Sequence, residues 1–393
     1  MSRVDEMMQV ATLRPEIRDR LHKGVVIPAH PLALKEDRSL DVQRQAALTR
    51  YYLAAGAGGV AVGVHTTQFA IREAGLYEQV LRIAAETVDA TPTAKPVIKI
   101  AGVVGPTAQA MKEAQIAAAL GYDVALLGLG DLNDWSEDEL IAHVVEITKI
   151  LPVFGFYLQP SVGGRHLSYA FWRRFADLDG VVAIKIAPFN RYWTLDVVRA
   201  VAESSRRDEI ALYTGNDDNI LPDLLTSYQF VVDDVPVEKR IVGGLLGYWA
   251  VWTERAVAQL DACHWAVESG DAPGIQELLR TGVSVTESNA AFFDAANGFR
   301  GGIAGLHEVL RRQGLFAGRW CLDPDEDLSA GQMEEIDRVY AAYSELNDDA
   351  FVSSHLSEWL GADLSSPVVG GIVESGPSAC GRARQRANLV RGG

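Results

Sequence analysis

One lysine lies within an apolar run of this sequence. The segment GVVAIKIAPFN, residues 180–190, has the pattern of a buried strand with Lys185 near its end. Strand side chains alternate between two faces, so Lys185 shares a face with Ala183 and lies opposite three branched residues. Burial disfavours the ammonium form, and a neutral amine is a nucleophile that can form a Schiff base with a carbonyl. A structural lysine paired with a buried acid, or one whose tip reaches solvent, is the alternative.

Two further residues bear on that choice. Lys99, in PVIKIAG, has the same apolar flanks and competes for the role. In LPVFGFYLQP the alternation groups Tyr157 with Gly155, and we predict that the phenol projects inward beside Lys185. A phenol there could transfer protons during carbinolamine formation and dehydration. The alternative is an ordinary buried aromatic whose hydroxyl bonds to the backbone.

The elements that carry these residues alternate between short β-rich runs and helical patterns from about residue 24 onward. Eight such units favour a closed (β/α)8 TIM barrel in the α/β class over an open doubly wound sheet. No GxGxxG follows the first strand, which argues against a dinucleotide-binding domain. The predicted strands are VVIPA, GVAVGV, VIKIA, DVALLGL, VFGFY, VVAIKI, IALYT and RIVGGLL. Asp41 is the predicted N-cap of the helix after the first strand.

Patterning also divides the chain into four parts. We predict an N-terminal helical arm over residues 1–23, the barrel over 24–250 and a C-terminal helical extension over 251–347. The segment 348–393 is rich in Gly, Ser and Arg, and we expect a poorly ordered tail.

Composition limits the partners. The 393 residues are 48% hydrophobic with a formal net charge of −16, which is typical of a globular protein and disfavours nucleic acid or anionic membranes. No apolar run reaches the roughly 18 residues of a membrane helix, and no secretory signal is recognised. Three scattered cysteines fit a reducing compartment, so a cytoplasmic location is expected.

Taken together, these residues resemble the dihydrodipicolinate synthase and N-acetylneuraminate lyase family of class I aldolases. Tyr157 begins a YxxP element, and Lys185 follows it by the 28 residues of the family pattern. The segment VHTTQF resembles the family's GTTGE loop. The resemblance implies that Lys185 forms the Schiff base and that Tyr157 transfers protons. It also implies that Thr66 and Thr67 hold the carboxylate of a 2-oxo acid.

The chain departs from the synthase pattern in several places. Val162 stands where synthases carry an arginine that binds the second substrate, and Arg165 is the candidate substitute. The segment LGLGDLNDW lacks the tyrosine that the family places after its fourth strand. Phe69, Phe189 and Trp193 predict a more apolar pocket for the second substrate. A role as a true dihydrodipicolinate synthase is therefore not expected.

Four other polar residues are candidates for the rim of the site. His30 follows the first strand and His65 lies in the threonine loop, so either could orient a carboxylate or relay a proton. Their alternative role is that of a hydrogen-bonded loop histidine. Asn216 and Asp217, in TGNDD, resemble the family's GxD turn and could contact a polyhydroxy substrate, or could simply cap a loop. An HxH motif is absent from the first strand, so no catalytic metal is expected.

The sequence thus predicts a class I aldolase-type lyase that needs no external cofactor. Its partners would be pyruvate or a related 2-oxo acid, with an aldehyde as second substrate, and the resemblance implies a homo-oligomer, dimer or tetramer. Two alternatives stay open: a 2-oxo acid dehydratase of the same family, and a barrel that binds a metabolite without turning it over.

Overall fold

A computed structural model describes residues 10–361 of the chain. Within that range the strands are β1 Val26–Pro28, β2 Gly59–Val62, β3 Ile98–Val103, β4 Val124–Gly128, β5 Val153–Leu158, β6 Val181–Ala187, β7 Ala211–Thr214, β8 Ser227–Val232 and β9 Val235–Leu246. The helices are α1 Pro15–Lys23, α2 Val42–Ala54, α3 Tyr77–Ala90, α4 Thr107–Ala119, α5 Glu137–Thr148, α6 Tyr169–Ala176, α7 Arg191–Ala202, α8 Ile220–Leu225, α9 Thr253–Ser269, α10 Ala272–Phe292, α11 Gly302–Arg312, α12 Gln332–Ala342 and α13 Asp349–Trp359.

Eight parallel strands form the barrel, which confirms the predicted fold class. Strands β2 to β7 pair in chain order, β9 pairs with both β7 and β1, and an isolated parallel bridge between Ala29 and Ala61 joins β1 to β2. The sheet therefore closes on itself. Asp41 caps α2 as predicted, because its side chain accepts a hydrogen bond from the Arg44 N–H at 3.1 Å.

The barrel interior is a packed apolar core, and α1 covers its amino-terminal end. Ile17 and Leu21 of this helix are fully buried in the same cluster as the inward residues of the strands. Tyr213 of β7 donates a hydrogen bond to the Leu21 carbonyl oxygen at 2.9 Å. The predicted N-terminal arm is therefore, from residue 15, a plug for the amino-terminal end of the barrel. Residues 1–9 lie outside the described range.

A hairpin that the sequence did not predict precedes the last barrel strand. Strand β8 pairs antiparallel with the first half of β9, from Ser227 opposite Arg240 to Val232 opposite Val235. The exposed and half-buried residues of β8 alternate along its length, which is the pattern of a strand with one solvated face. The seventh βα unit, which starts with β7, therefore contains only the short helix α8 before this hairpin.

The C-terminal helices extend beyond the predicted boundary at residue 347. Helix α13 lies in the segment that was expected to be a tail, and its Trp359 packs against Tyr51 of α2 with ring centroids 5.6 Å apart. Arg50 also donates to the Trp359 carbonyl oxygen at 2.6 Å. The remainder of the predicted tail, residues 362–393, lies outside the described residues. No helix within residues 10–361 combines the length and apolar character that a membrane crossing needs.

Candidate active site

Lys185 enters the barrel near the carboxyl end of β6, where barrel enzymes carry their chemistry. Its side chain is 8% exposed, and Nζ lies 4.2 Å from the centroid of the Phe156 ring. The end of β7 passes directly over this side chain. A Cβ placed on Gly215 would lie 2.5 Å from Lys185 Cε, so only glycine leaves room for the lysine there.

A small cavity opens around the amine. The centre of a water molecule can occupy about 60 Å³ of it, which is room for a few waters or one small metabolite. Most of the wall is apolar, and the polar side chains that line it are those of His65, Thr66, Gln159, Lys185 and Asp217. Among the described lining residues, Lys185 carries the only ammonium group, and none contributes a guanidinium.

Burial controls the ionisation of Lys185 and Asp217. Loss of hydration lowers the pKa of Lys185 to about 8, and the nearby Asp217 carboxylate opposes that shift. Burial also raises the pKa of Asp217 to about 7. The Tyr248 N–H, which donates to Asp217 Oδ1 at 3.1 Å, and the charge of Lys185 both lower this pKa and only partly offset the effect of burial. A neutral amine beside a protonated carboxyl group is therefore accessible near neutral pH.

Lys99 has a different environment. It faces away from the barrel interior, and its Nζ forms an ion pair with Asp89 Oδ1 at 2.7 Å. Its amine is engaged by that carboxylate outside the barrel and does not line the cavity around Lys185. Of the two competing lysines, only Lys185 faces the cavity.

The predicted inward orientation of Tyr157 is wrong. Phe154 and Phe156 occupy the interior face of β5, whereas Tyr157 packs outside the barrel against Trp172 at 5.1 Å and Trp193 at 6.1 Å between ring centroids. Its hydroxyl donates to the Leu167 carbonyl oxygen at 3.2 Å and accepts from the Leu167 N–H at 3.3 Å.

The outer helices explain this orientation. A Cβ on Gly155 would lie 2.6 Å from the Phe175 ring, so the face of β5 that carries the glycine is the one pressed against α6. Because Tyr157 shares that face, its phenol cannot enter the cavity. Both faces of β5 carry aromatic residues, and for that reason hydrophobic patterning alone did not distinguish them.

The threonine loop is present, but its two threonines differ in position. Thr66 lines the cavity and its hydroxyl donates to the Ala29 carbonyl oxygen at 2.7 Å. Thr67 lies behind the wall, where its hydroxyl donates to the His30 carbonyl oxygen at 2.6 Å and accepts from the Gly63 N–H at 3.0 Å. Thr67 thus fastens the loop, whereas Thr66 faces the site.

Of the two candidate histidines, only one lies at the cavity. His30 is fully buried away from the cavity, with Nε2 2.9 Å from Thr49 Oγ1 and Nδ1 2.9 Å from the Pro31 carbonyl oxygen. His65 lines the cavity. Burial, and secondarily the charge of Lys185, lowers the pKa of His65 to about 4, so its imidazole is neutral at physiological pH.

The structure brings Asp217 to the site but not Asn216 or Arg165. The Asn216 side chain is fully buried and accepts from the Phe189 N–H at 3.0 Å, which fixes the loop after β6. Arg165 does not line the cavity and donates to the Leu132 carbonyl oxygen at 2.5 Å. The position that the resemblance associates with an arginine, Val162, does line the cavity.

Sequence reasoning missed an aromatic wall. Phe189 lines the cavity as expected, whereas Phe69 and Trp193 do not; their places are taken by Phe293 and Phe299 from the C-terminal extension. Phe189 and Phe299 contact each other at 6.0 Å between ring centroids, and both hold a left-handed backbone, with φ of 50° and 67°. Such strain costs on the order of 1–3 kcal/mol per residue and concentrates at functional sites.

The last barrel strand makes room for this wall. A Cβ on Gly247 would lie 2.5 Å from the Phe293 ring, so the glycine after β9 lets the ring reach the cavity. The signal in the sequence was the break FFDAANGFRGG between two helical patterns, which marks a loop with aromatic residues. Within residues 10–361, no group of three His, Cys, Asp or Glu side chains is arranged to hold a metal ion.

Comparison with known proteins identifies the family. The sequence model of the Dihydrodipicolinate synthetase family matches residues 23–232, which is more than half of the chain. The chain belongs to this family. The resemblance recognised in the sequence is thereby confirmed, and the matched segment carries β1 to β8 together with Lys185 and Asp217.

Curated relatives within the dihydrodipicolinate synthetase family are distant. A 4-hydroxy-tetrahydrodipicolinate synthase of Bifidobacterium longum is 28% identical over 201 residues, which cover 51% of this chain and 62% of the relative. A synthase of the same name from Clostridium perfringens is 32% identical over 147 residues, which cover 37% of this chain and 47% of the relative. The match therefore spans less than two thirds of the length of these relatives.

Solved structures share the fold. A dihydrodipicolinate synthase from Oceanobacillus iheyensis superposes with a TM-score of 0.65 at 18% identity, over 84% of this chain and 99% of that one. An N-acetylneuraminate lyase from Fusobacterium nucleatum gives a TM-score of 0.63 at 16% identity, over 82% of this chain and 99% of that one. At this identity the likeness concerns the fold.

Proposed function

We propose that this chain is a class I aldolase-type carbon–carbon lyase that forms a Schiff base between Lys185 and a small 2-oxo acid such as pyruvate. The observation that carries the proposal is the environment of the amine. Lys185 is buried at the carboxyl end of the barrel, faces a cavity and has a lowered pKa. Membership in the dihydrodipicolinate synthetase family supports the same class of reaction.

The first chemical step follows from the ionisation of Lys185. The neutral amine attacks the ketone carbon of the 2-oxo acid, and the resulting carbinolamine loses water to give an iminium. The iminium withdraws electrons from the neighbouring carbon, so a carbon–carbon bond at that position can form or break. The lysine supplies this electron sink, and the mechanism uses no other group as a cofactor.

The threonine loop is the proposed site for the substrate carboxylate. The Thr66 hydroxyl already donates to the Ala29 carbonyl oxygen. Within the described residues, the backbone N–H groups of His65 and Thr66 donate no hydrogen bond, so both remain available. Two such N–H donors at the cavity edge can hold a carboxylate without a nearby cationic side chain.

The second substrate is proposed to differ from that of the synthases. The lining residue Val162 carries no charge, and Arg165 is bonded elsewhere. A carboxylate on an incoming aldehyde would therefore find no guanidinium among the described lining residues. We assign the aldehyde pocket to an uncharged molecule and do not assign a role as a true dihydrodipicolinate synthase.

Reductive trapping tests the proposal. Borohydride added with pyruvate should attach the reduced substrate to the peptide that contains Lys185, as measured by mass spectrometry. Lys185→Ala should abolish the adduct, and the matched Lys99→Ala variant should retain it. An adduct on Lys99, or none at all in the unmodified protein, would overturn the assignment; in the second case a barrel that only binds a metabolite becomes the better description.

The oligomeric state of this chain is also a prediction. The homo-oligomer implied by the resemblance can be measured by light scattering coupled to size-exclusion chromatography, where a monomer mass would contradict it.

A further inference from the structure

Schiff-base chemistry needs a group that gives and takes protons beside the amine. Three titratable side chains line the cavity, those of His65, Lys185 and Asp217, and no tyrosine is among the described lining residues. The phenol of Tyr157, which the family pattern assigns to this task, is held outside the barrel by Leu167. The proton carrier must therefore be another residue of the wall or a bound water.

The turn after β7 delivers a carboxyl group to the amine. Gly215 passes over the Lys185 side chain, and Asp217, two residues further on, is 8% exposed and lines the same cavity. Asn216 between them is anchored, since its Nδ2 donates to Asp223 Oδ2 at 3.0 Å. On the other side of Asp217, the Asn219 Nδ2 donates to Asp223 Oδ1 at 3.0 Å, so the turn is fixed on both sides of the carboxyl group.

The carboxyl group itself is oriented by the C-terminal part of the chain. The Tyr248 N–H donates to Asp217 Oδ1 at 3.1 Å. Asn289 of α10 lies beside the carboxyl group and lowers its pKa, although its Nδ2 forms no well-aligned hydrogen bond with it. A carboxyl group held this way is pre-positioned for proton transfer at one place in the cavity.

We propose that Asp217 is the catalytic residue that transfers protons during the Schiff-base chemistry of Lys185, in the role that the sequence pattern assigned to Tyr157. This inference rests on the proposed function and adds a residue to it. It also makes the C-terminal extension, through α10, part of the catalytic arrangement.

The proton balance closes on this one carboxyl group. The amine adds to the ketone carbon and a proton moves from nitrogen to the former carbonyl oxygen, giving the carbinolamine. Asp217–COOH then protonates the hydroxyl group, the C–O bond breaks, water leaves and the iminium forms. The Asp217 carboxylate next removes a proton from the adjacent carbon; the C–H electron pair becomes a carbon–carbon double bond, and the C=N π electrons move to the nitrogen to give the enamine.

Condensation completes the cycle. The enamine carbon bonds to the aldehyde carbon, and Asp217–COOH protonates the aldehyde oxygen as it becomes a hydroxyl group. Carboxylate-assisted addition of water then releases the product from Lys185. Cleavage runs through the same steps in reverse, with the carboxylate taking the proton of the hydroxyl group.

His65 is the rival for this role. Burial and the charge of Lys185 both lower the pKa of its imidazole, so at neutral pH it holds no extra proton to donate. The pKa of Asp217, raised by burial, lies near neutrality, where a group can both donate and accept. The carboxyl group can therefore both donate and accept a proton near neutral pH, whereas the imidazole can only accept one.

Proton exchange at C3 of pyruvate in D₂O, followed by NMR, tests the inference. Asp217→Asn keeps an oxygen for the Tyr248 N–H but cannot transfer the proton, and we expect exchange to slow by about 100-fold or more. Borohydride should still trap pyruvate on Lys185 in this variant, although more slowly, because the nucleophile remains while the loss of water that forms the iminium lacks its acid. Asp218→Asn is the neighbouring control, since Asp218 is exposed and does not line the cavity. Its charge contributes to the raised pKa of Asp217, so this variant should shift the pH dependence of exchange to lower pH without the loss expected for Asp217→Asn.

A second variant separates proton transfer from a folding defect. Asp217→Ala leaves space beside Lys185, and added formate should restore exchange in proportion to its concentration. If Asp217→Asn traps pyruvate and exchanges at the unmodified rate, Asp217 is not the proton carrier while the Schiff-base proposal stands. Slow exchange without formate rescue would assign Asp217 a structural role only, and failure to trap pyruvate in the unmodified protein would overturn both proposals.

Discussion

Phe156, and not Tyr157, is the β5 residue that lies beside Lys185. The two residues are register partners across β5 and β6, and the lysine Nζ lies 4.2 Å from the phenylalanine ring centroid. Tyr157 pairs with Ile186 on the opposite face. The aromatic ring next to the amine therefore provides a favourable surface for a cation but has no proton to transfer.

Replacing Tyr157 by phenylalanine should leave catalysis nearly unchanged. The variant loses the two hydrogen bonds to Leu167, so we expect unfolding to become easier by about 0.5–1.5 kcal/mol for each bond. Urea denaturation measures this loss, and C3 exchange of pyruvate measures activity. A drop in exchange of about 100-fold at unchanged stability would restore the phenol to the proton-transfer role.

Lys185 should titrate well below an ordinary lysine. Because burial lowers its pKa to about 8 from 10.5, the amine becomes nucleophilic as the pH rises through about 8. Competitive acetylation against a free-amine standard, read by mass spectrometry across pH 6–10, should show this inflection. Asp217→Asn should move it to lower pH, since the carboxylate raises the lysine pKa. An inflection near 10.5 would contradict a buried amine.

The same shift predicts the sign of a stability change. Between about pH 8 and 10.5 the unfolded chain keeps a proton on this lysine that the folded chain has lost. The contribution of Lys185 to the free energy of unfolding therefore rises with pH through that window. Lys185→Met, which is similar in size and uncharged, should lack the rise when both proteins are compared by urea denaturation; parallel pH curves would contradict the assignment.

The aromatic wall predicts a preference among aldehydes. Phe189, Phe293 and Phe299 surround a cavity in which Lys185 is the only ammonium-bearing side chain among the described lining residues. A second carboxylate would be desolvated there without a partner, so uncharged aldehydes should react at least about tenfold faster per unit concentration than anionic ones. NMR detection of condensation with pyruvate across an aldehyde panel measures this preference, and faster reaction of an anionic aldehyde would refute it.

Gly215 should tolerate no larger residue without loss of activity. In Gly215→Ala the new Cβ would lie 2.5 Å from Lys185 Cε and 2.8 Å from Ala187 Cβ, so the lysine must move. We expect borohydride trapping of pyruvate to fall by more than about tenfold, because a displacement of this size misaligns the nucleophile. Trapping at the unmodified rate in a folded variant would show that the amine position is not restricted by this turn.

Local patterns in the sequence were sufficient for the barrel and its nucleophile. The alternation of βα units reports burial on both faces of a parallel sheet, and a charged residue within such a strand stands out. Lys185 therefore appeared in its correct place. Tyr157 did not, because β5 has aromatic residues on both faces, and only the packing of Gly155 against Phe175 decides between them.

The sequence by itself determined the family, the parallel barrel and the lysine at the end of β6, since each depends on short-range periodicity or motif spacing. Tertiary structure decided which of the candidate side chains meet that lysine and which of them do not. Asp217 and Phe299 are 32 and 114 residues from it in the chain, yet both line its cavity. Strand register, helix packing and the contact of the C-terminal extension with the barrel determine which residues line the cavity. These long-range contacts leave no local periodicity from which they could be recognised.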